Sequence, residues 1–458
     1  MWKHATASLL CVVLWAGVTV AEPASVAVDF HKINLGPLRL AVEDLAETYP
    51  DAYSSGPAYL QQIAAYEEAL PTLLLALEQG DEDARPRLQE ILNFQSSVLL
   101  ENPLLDFEKL LVIKRVPVGD PRRPEGEDKG LGEFLGLPRQ SSWQVDTIPE
   151  IYGWENEIAV LSPLNPSGTL TTFYAPAEPK LVSDLDLHYD GERLTFSMPG
   201  DNRCWQVFEM DTHGGEPYQL SPTDQPGIHN FDSFYMPSDM IGFVSTAALQ
   251  GVPCNASVNV AMLYSMDSRG RNIRQLCFDQ DHNYCPTVMN DGRILYLRWE
   301  YTDIPHVWSR YLFTMNPDGT SQREFYGSGS YWPNSVFYAR PVPGHPTKVA
   351  GVVTGHHVGR VGELVILDPA ISRLDSQGVV QRIPGRGEKV APLIEDKLTE
   401  FSWPKYLHPY PLSDKYFIVS CKPSPTDLWG IYLVDVFDNI TLLKEVEGYA
   451  LLDPIPFV

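Results

Sequence analysis

The feature that most constrains the fold is a phrase that occurs twice in the chain, at a spacing of 53 residues. Residues 229–232 read His-Asn-Phe-Asp, and residues 282–285 read His-Asn-Tyr-Cys. Each copy is followed by a turn and then by a second apolar run, which starts at Ile241 or at Ile294. A strand, a tight turn and a strand are typical of a β-hairpin. A fixed period of this length predicts an array of structural repeats.

Three further copies share this register when they are anchored on the first apolar residue after the turn. The shared position lies nine residues before Ile241, Ile294, Val349 and Phe417, and ten residues before Leu194. The five positions reached are Asp184, Asp232, Cys285, Arg340 and His408. Proline directly follows three of them, which predicts that each of the three opens a strand. One register therefore carries charged, thiol and imidazole side chains through five repeats.

A second motif, an alternating apolar run that ends in a small polar residue and a turn, occurs six times. Its copies are residues 157–162, 207–211, 262–267, 311–316, 363–368 and 431–435. We interpret the second motif as the outer hairpin of a blade and the first motif as its inner pair of strands. Six outer hairpins with five complete inner pairs predict a mainly β chain folded as a six-bladed β-propeller. The missing inner strands are predicted at residues 109–115 and around Asp453. One C-terminal strand joined to three N-terminal strands would close the ring without a free edge.

The N-terminus predicts export. A positively charged start is followed by an apolar run to Val20 and by small residues before Glu22, which is typical of a signal peptide. We therefore divide the chain into a signal peptide (1–21), a helical lead-in (22–100) and the propeller (101–458). This division places the mature protein in the periplasm or outside the cell.

Two stretches of the mature chain depart from the strand pattern. Between residues 38 and 100, apolar residues recur every three to four positions, which predicts a small N-terminal α-helical segment of roughly three helices. Residues 118–149 are rich in polar residues, proline and glycine, and they predict a long loop or insertion rather than a core element.

Charge and motif content argue against several classes of function. The 458-residue chain has a formal net charge of −25 and no basic stripe, so nucleic acids and anionic membrane surfaces are disfavoured as partners. No segment after the signal peptide reaches transmembrane length. The sequence contains no Gly-x-Ser-x-Gly elbow, phosphate-binding glycine loop or His-Glu-x-x-His motif. Without a complete catalytic motif, the chain is not expected to be an enzyme by itself.

Five cysteines remain after the signal peptide, and an odd number leaves at least one free thiol. They are Cys204, Cys254, Cys277, Cys285 and Cys421. Export permits disulfides, so a bridge among the first three is one alternative, with Cys254 and Cys277 as one pairing. No Cys-x-x-Cys pair occurs, so this chain carries no covalent haem.

Longer phrases of the sequence resemble a known family. The turn-and-strand phrase of the repeats is similar to that of TolB-type propellers. Residues 276–286, 298–303, 331–335 and 408–417 resemble exported proteins of the hydrazine synthase alpha subunit type, and the likeness covers residues 38–458. The resemblance implies the propeller fold and export. In hydrazine synthase the alpha subunit couples a propeller to c-type haem domains, so the resemblance also implies a haem-bearing domain or subunit as a partner.

The shared register supplies the candidate site. Equivalent positions on the innermost strands should form a ring at the mouth of the central tunnel, and Asp453 is the sixth candidate beside the five residues above. Thiolate, imidazole and carboxylate groups bind zinc and similar metals. The candidate metal ligands are Cys285, His408, Asp184, Asp232 and His282. Alternatively, the ring is only a set of solvated polar groups, and Arg340 argues against a metal unless it pairs with an aspartate.

Two hypotheses of function follow, and the sequence leaves both open. The favoured one is a non-enzymatic exported propeller that binds a protein partner or a small ligand at the tunnel mouth. The alternative is a metalloprotein component of an oxidoreductase, in which the propeller supplies metal ligands beside a haem domain. Two other histidine positions, His229 and the pair His356-His357, are interpreted as ordinary loop or surface residues.

Overall fold

The computed structural model describes residues 30–119, 122, 129–303 and 307–458. The predicted signal peptide, residues 1–21, lies outside the described residues. The described chain starts with helices and continues as β-sheet. None of its helices combines the length and apolar character that crossing a membrane requires.

Three helices precede the β-sheet region, and a short fourth helix follows the first strand. Their bounds are α1 (Leu35–Thr48), α2 (Gly56–Glu78), α3 (Arg85–Val98) and α4 (Lys129–Phe134). The buried face of α1 includes Leu38, Val42 and Leu45, each fully buried, in the three-to-four spacing of an amphipathic helix. These three side chains belong to a buried apolar cluster that also contains Ile418 and Leu433 of the sheet region, so the helices cover apolar side chains of the sheets.

The remainder of the described chain forms 26 strands. In chain order these are β1 (Leu110–Arg115), β2 (Asn156–Ser162), β3 (Thr169–Tyr174), β4 (Ser183–Leu187), β5 (Arg193–Pro199), β6 (Trp205–Asp211), β7 (Tyr218–Gln219), β8 (Asn230–Met236), β9 (Met240–Ser245), β10 (Gly251–Val252), β11 (Asn255–Asn259), β12 (Met262–Asp267), β13 (Arg274–Gln275), β14 (Asn283–Val288), β15 (Ile294–Trp299), β16 (Arg310–Met315), β17 (Arg323–Tyr326), β18 (Ser335–Pro341), β19 (Val349–Thr354), β20 (Glu363–Leu367), β21 (Val379–Ile383), β22 (Lys405–Pro411), β23 (Tyr416–Lys422), β24 (Gly430–Asp435), β25 (Ile440–Lys444) and β26 (Ala450–Pro456). The second and third strands of the sheets are buried on both faces, as in β15 and β24, because each sheet packs between neighbours.

The sheets have a propeller arrangement, but the prediction of six separate blades is wrong. Four blades are separate four-stranded sheets: β26-β1-β2-β3, β4-β5-β6-β7, β8-β9-β12-β13 and β22-β23-β24-β25. Strands β14 to β21 form one eight-stranded sheet. In the described part of the chain, the strand ladders of its two halves are joined by a single parallel pair, Arg310 with Ser335, where the Arg310 N–H donates to Asn334 O at 2.7 Å. A two-stranded ribbon, β10-β11, lies apart from these sheets.

Six strands line the centre of the arrangement. Strands β4, β8, β14, β18, β22 and β26 contact one another in that order, and β26 contacts β4 again. The C-terminal strand β26 pairs antiparallel with β1, so one sheet contains both ends of the β region. A closed cycle of inner strands surrounds a central channel, and this channel positions the candidate site.

The stretch predicted as a loop or insertion is partly a core element, so that prediction is wrong for its described second half. We name residues 132–148 the plug segment. Leu135 and Ser141 in it are fully buried. Arg115 donates to Leu135 O at 2.6 Å, and Trp205 donates its indole N–H to Val145 O at 3.0 Å. Because side chains from separate sheets satisfy its carbonyls, polar and glycine-rich backbone is accommodated in the interior.

Candidate functional site

Each of the six inner strands carries a β-bulge at the same place, and the bulge residue has a left-handed backbone. These bulge residues are Asp184, Asp232, Cys285, Tyr338, His408 and Asp453, with φ between 40° and 57°. The pairing of each inner strand with its neighbour shifts at this residue. Positive φ is rare for residues other than glycine. Its recurrence on all six strands shows that it is a built feature of the channel.

Tyr338, and not Arg340, occupies the bulge position of β18. The turn after this strand is two residues longer than in the neighbouring copies, so counting nine residues back from Val349 reaches Arg340 instead. Proline follows Cys285 and His408 inside their strands, where a bulge removes the need for an N–H donor. The prediction that these prolines mark strand openings is therefore wrong.

Hydrogen bonds link the bulge residues around the channel. The backbone N–H at or next to one bulge donates to the side chain of the bulge residue on the neighbouring strand. These bonds are Asp232 N to Asp184 Oδ2 at 3.2 Å, Cys285 N to Asp232 Oδ2 at 2.9 Å, Asp453 N to His408 Nδ1 at 3.2 Å and Leu185 N to Asp453 Oδ2 at 2.8 Å. The left-handed backbone thus turns donors toward acceptors on the next strand, which offsets its conformational strain.

Burial shifts the titration of these groups toward their neutral forms. Burial, followed by the adjacent Asp184 carboxyl, raises the pKa of Asp232 well above its usual range. Burial also raises the pKa of Asp184 and of Asp453. Burial lowers the pKa of His408 to about 3, so its imidazole is neutral at pH 7. The bulge residues therefore carry less charge at pH 7 than their composition suggests.

A second ring lies two residues after each bulge, toward the open end of the channel. We name Asp186, Phe234, Thr287, Arg340, Tyr410 and Ile455 the mouth ring. All six line a cavity of about 490 Å³, within the usual range for small-molecule sites. The order of the inner strands places Asp186 opposite Arg340, and Phe234 opposite Tyr410. The mouth ring therefore has opposite charges on opposite walls and aromatic walls between them.

The cavity narrows below the mouth ring and ends at the plug segment. The bulge residues surround a smaller space of about 60 Å³, which has room for roughly two water molecules. Beneath it, bulge residues and Gly136, Leu137 and Pro138 of the plug segment line the remaining space of about 20 Å³. Arg360 donates to Trp143 O at this end. The channel is thus a pit that opens on the side of the mouth ring.

The mouth ring is held by contacts that leave polar atoms facing the cavity. Asp186 Oδ2 accepts the backbone N–H of Tyr235 at 2.8 Å. Burial raises the pKa of Asp186 to about 6, although the Arg340 guanidinium opposes this shift. Arg340 packs over the ring of Tyr410, with 5.4 Å from the guanidinium carbon to the ring centroid. At pH 7 Asp186 is therefore mostly ionised, facing a cation across the pit.

The structure does not bring the five candidate metal ligands together as one metal site. Cys285, His408, Asp184 and Asp232 line the pit, but no group of three or more His, Cys, Asp or Glu side chains within the described residues is arranged to hold a metal ion. His282 is buried beside Trp299, and its Nδ1 accepts the Ala261 N–H at 3.1 Å. The repeat explains this role, because His229 likewise accepts the Trp205 N–H at 3.3 Å.

Two further predictions about individual side chains are wrong. The five described cysteines are all free, so the alternative of a bridge between Cys254 and Cys277 does not hold. His356 is buried rather than on the surface, and its Nδ1 lies 2.8 Å from Arg310 Nη2. A buried guanidinium needs acceptors, and the histidine supplies one of them.

Sequence reasoning missed the residues that give the mouth ring its charge pattern. Asp186 was not identified, and Arg340 was assigned to the wrong level of the channel. A signal for Asp186 was present, because it lies two positions after Asp184 and alternate residues of a strand share a face. Tyr338 was missed because the longer turn that follows β18 shifted the alignment.

The fold is similar to that of solved structures, whereas the sequence comparisons give no match. No family model and no curated protein matches the chain. Hydrazine synthase of Kuenenia stuttgartiensis has a TM-score of 0.55 over 78% of this chain, with 16% sequence identity. This chain spans 48% of that protein's chain. TolB from Acinetobacter baumannii has a TM-score of 0.42 over 79% of this chain and 72% of its own, with 9% identity.

At these identities the likeness shows the fold alone. The prediction of a propeller arrangement of sheets preceded by a few helices is confirmed. The more specific resemblance to the hydrazine synthase alpha subunit, and the export and haem-bearing partner that it implies, stay predictions.

Proposed function

We propose that this chain is an exported β-propeller that binds a small polar ligand in its central pit and is not an enzyme by itself. One observation carries the proposal: side chains from all six inner strands line a single pit that opens at the mouth ring and ends at the plug segment. A cavity of about 490 Å³ suits a small molecule or a single side chain of a protein partner better than a folded surface.

The arrangement of the inner strands supports a finer description of the fold. We infer that the eight-stranded sheet corresponds to two blades, so that six repeats surround the pit. Within the described residues one ladder pair, Arg310 with Ser335, connects the strands of its halves, and the inner strands β14 and β18 take consecutive places in the closed cycle. Export rests on the sequence of residues 1–21, and a metal role for the bulge residues is not part of this proposal.

A thermal-shift screen tests ligand binding in the pit. We expect at least one compound from a panel of amino acids, amines, carboxylic acids and sugars to raise the melting temperature of the protein, because a ligand that binds only the native state stabilises it. The effect should disappear in Thr287→Trp, which fills the pit without changing its charge. The matched control Thr171→Trp, on the exposed edge strand β3, should keep it.

A panel in which no compound stabilises the protein, or in which every stabilising compound acts equally on Thr287→Trp, would overturn the proposal. If Thr287→Trp does not fold, Thr287→Leu provides the smaller obstruction for the same comparison.

A further inference from the structure

The charge pattern of the mouth ring narrows the class of ligand. Each member lies two residues after a bulge, so the six side chains share one level of the channel. Asp186 on β4 and Arg340 on β18 are three strands apart in the cycle of six, and are therefore diametrically opposed. A ligand that lies across the pit meets a carboxylate at one end and a guanidinium at the other.

Both charged groups have polar atoms available to hydrogen-bond with a ligand. Asp186 uses Oδ2 for the Tyr235 N–H, and among the described residues no hydrogen bond is made to Oδ1. Arg340 packs on Tyr410 and, within the same described part of the chain, donates no hydrogen bond to another side chain. The fork of a guanidinium matches a carboxylate in geometry, and a carboxylate readily accepts from an ammonium.

Two other pairs of ionisable side chains lie near the opening. His188 Nδ1 lies 2.6 Å from Asp190 Oδ1, and Arg193 Nη2 lies 2.6 Å from Asp239 Oδ1. Below the mouth ring, burial favours the neutral forms of Asp232 and His408. Among the described residues, Asp186 and Arg340 are the two charged side chains of the mouth ring.

We propose that the pit binds a small zwitterion, with its ammonium group at Asp186, its carboxylate at Arg340 and its carbon chain between Phe234 and Tyr410. This inference rests on the proposed function and specifies the ligand of the same site. An amine would leave the guanidinium unmatched and an acid would leave the carboxylate unmatched, so each should bind more weakly than the zwitterion. An aliphatic chain fits the aromatic walls between the two charges.

Titration calorimetry with matched probes tests this class. The probes are glycine, 3-aminopropanoate and 4-aminobutanoate, with propylamine and butanoate as the singly charged analogues. We expect the tightest zwitterion to bind about tenfold more tightly than either analogue, because it gains a second charge-assisted hydrogen-bonded contact. Asp186→Asn should weaken zwitterion and amine but not butanoate, and Arg340→Gln should weaken zwitterion and butanoate but not the amine.

Matched controls carry the same changes on exposed side chains. Asp201→Asn and Arg269→Gln should leave all affinities unchanged. Propylamine or butanoate binding as tightly as the best zwitterion would overturn the proposal, and so would zwitterion binding that is unaffected by either site variant. If none of these probes binds but the thermal-shift screen finds another pit ligand, the ligand class is wrong and the binding function stands. If the screen finds none, the binding function fails as well.

Discussion

At the residue scale, the ionised carboxylate of Asp186 in the site lowers the free energy of unfolding. Burial raises its pKa to about 6, above the value near 3.9 of an unfolded aspartate. The folded state therefore favours the protonated form. The contribution of this group to stability is fully present below about pH 4 and is lost as the pH rises toward about 6. At neutral pH the protein holds a carboxylate that the fold alone does not favour, which is typical of binding sites.

Replacement of this carboxyl by an amide gives a pH-dependent prediction. Asp186→Asn removes the ionisation penalty, so we expect it to increase the free energy of unfolding by roughly 1–3 kcal/mol near pH 7 and to have little effect near pH 4. The amide oxygen can still accept the Tyr235 N–H. Urea denaturation of both proteins across this pH range measures the difference.

The comparison is specific because the other buried carboxyls with raised pKa, such as Asp146 and Asp435, are present in both proteins. Asp201→Asn, at an exposed position, serves as the matched control and should show no such pH dependence. An Asp186→Asn variant that is less stable than the parent near pH 7 would show that the carboxylate is favoured by its surroundings.

Individual residues of the pit were predictable only where the repeat length stayed constant. A spacing of nine or ten residues before the first apolar residue after the turn identifies Asp184, Asp232, Cys285 and His408. The structure places all four among the bulge residues around the pit. The spacing failed at β18, because two additional residues in the turn moved Arg340 into the place of Tyr338. A hairpin turn can lengthen on the surface without disturbing the strands, so sequence spacing alone cannot detect such a shift.

At the scale of elements, the plug segment shows a second limit of sequence reasoning. Its proline, glycine and polar residues favour a loop, yet it fills one end of the channel. The residues that make this burial favourable are distant in sequence: Arg115, Trp205 and Tyr284 each donate a hydrogen bond to one of its carbonyls. The local composition of the plug segment does not indicate these partners. By contrast, the strands of the repeats have a strong local pattern. The six copies of the second motif coincide with β2, β6, β12, β16, β20 and β24 to within one or two residues at each end.

The C-terminal strand β26 provides a prediction at the same scale. Deletion of residues 452–458 removes the buried side chains Leu452 and Ile455 and exposes the edge of β1. Each such side chain contributes about 1.5–3 kcal/mol, a large part of a typical total of about 5–15 kcal/mol. We therefore expect the truncated chain to lose its cooperative thermal transition or to aggregate.

Deletion of Val458 alone is the matched control for this truncation. Its side chain is 81% exposed, so its loss should change the melting temperature little. A chain that lacks residues 452–458 and unfolds at the same temperature as the full chain would contradict the closure of the channel by β26.

At the scale of the whole molecule, the inner strands form a closed cycle even though the sheets do not divide into six equal parts. One parallel pair, Arg310 with Ser335, joins strands β14 to β17 and β18 to β21 in one sheet, and no sequence pattern specifies that pair. The helices α1 to α3 add a cover on one side of this arrangement, where Asp44 Oδ2 accepts the hydroxyl of Tyr416 at 3.0 Å. The described strands thus form a frame around the pit, in which repeats with equivalent backbones present different side chains.

A crystal structure of the protein with the tightest-binding of the three zwitterions would show where the ligand lies and which side chains hold its two charges. We expect the ligand to lie across the mouth ring, with its ammonium nitrogen within hydrogen-bonding distance of Asp186 Oδ1 and its carboxylate facing the Arg340 guanidinium. The bulge residues should keep their left-handed backbone beneath it. A pit that contains only water, or a ligand bound outside it or in the reverse orientation, would contradict zwitterion binding between Asp186 and Arg340.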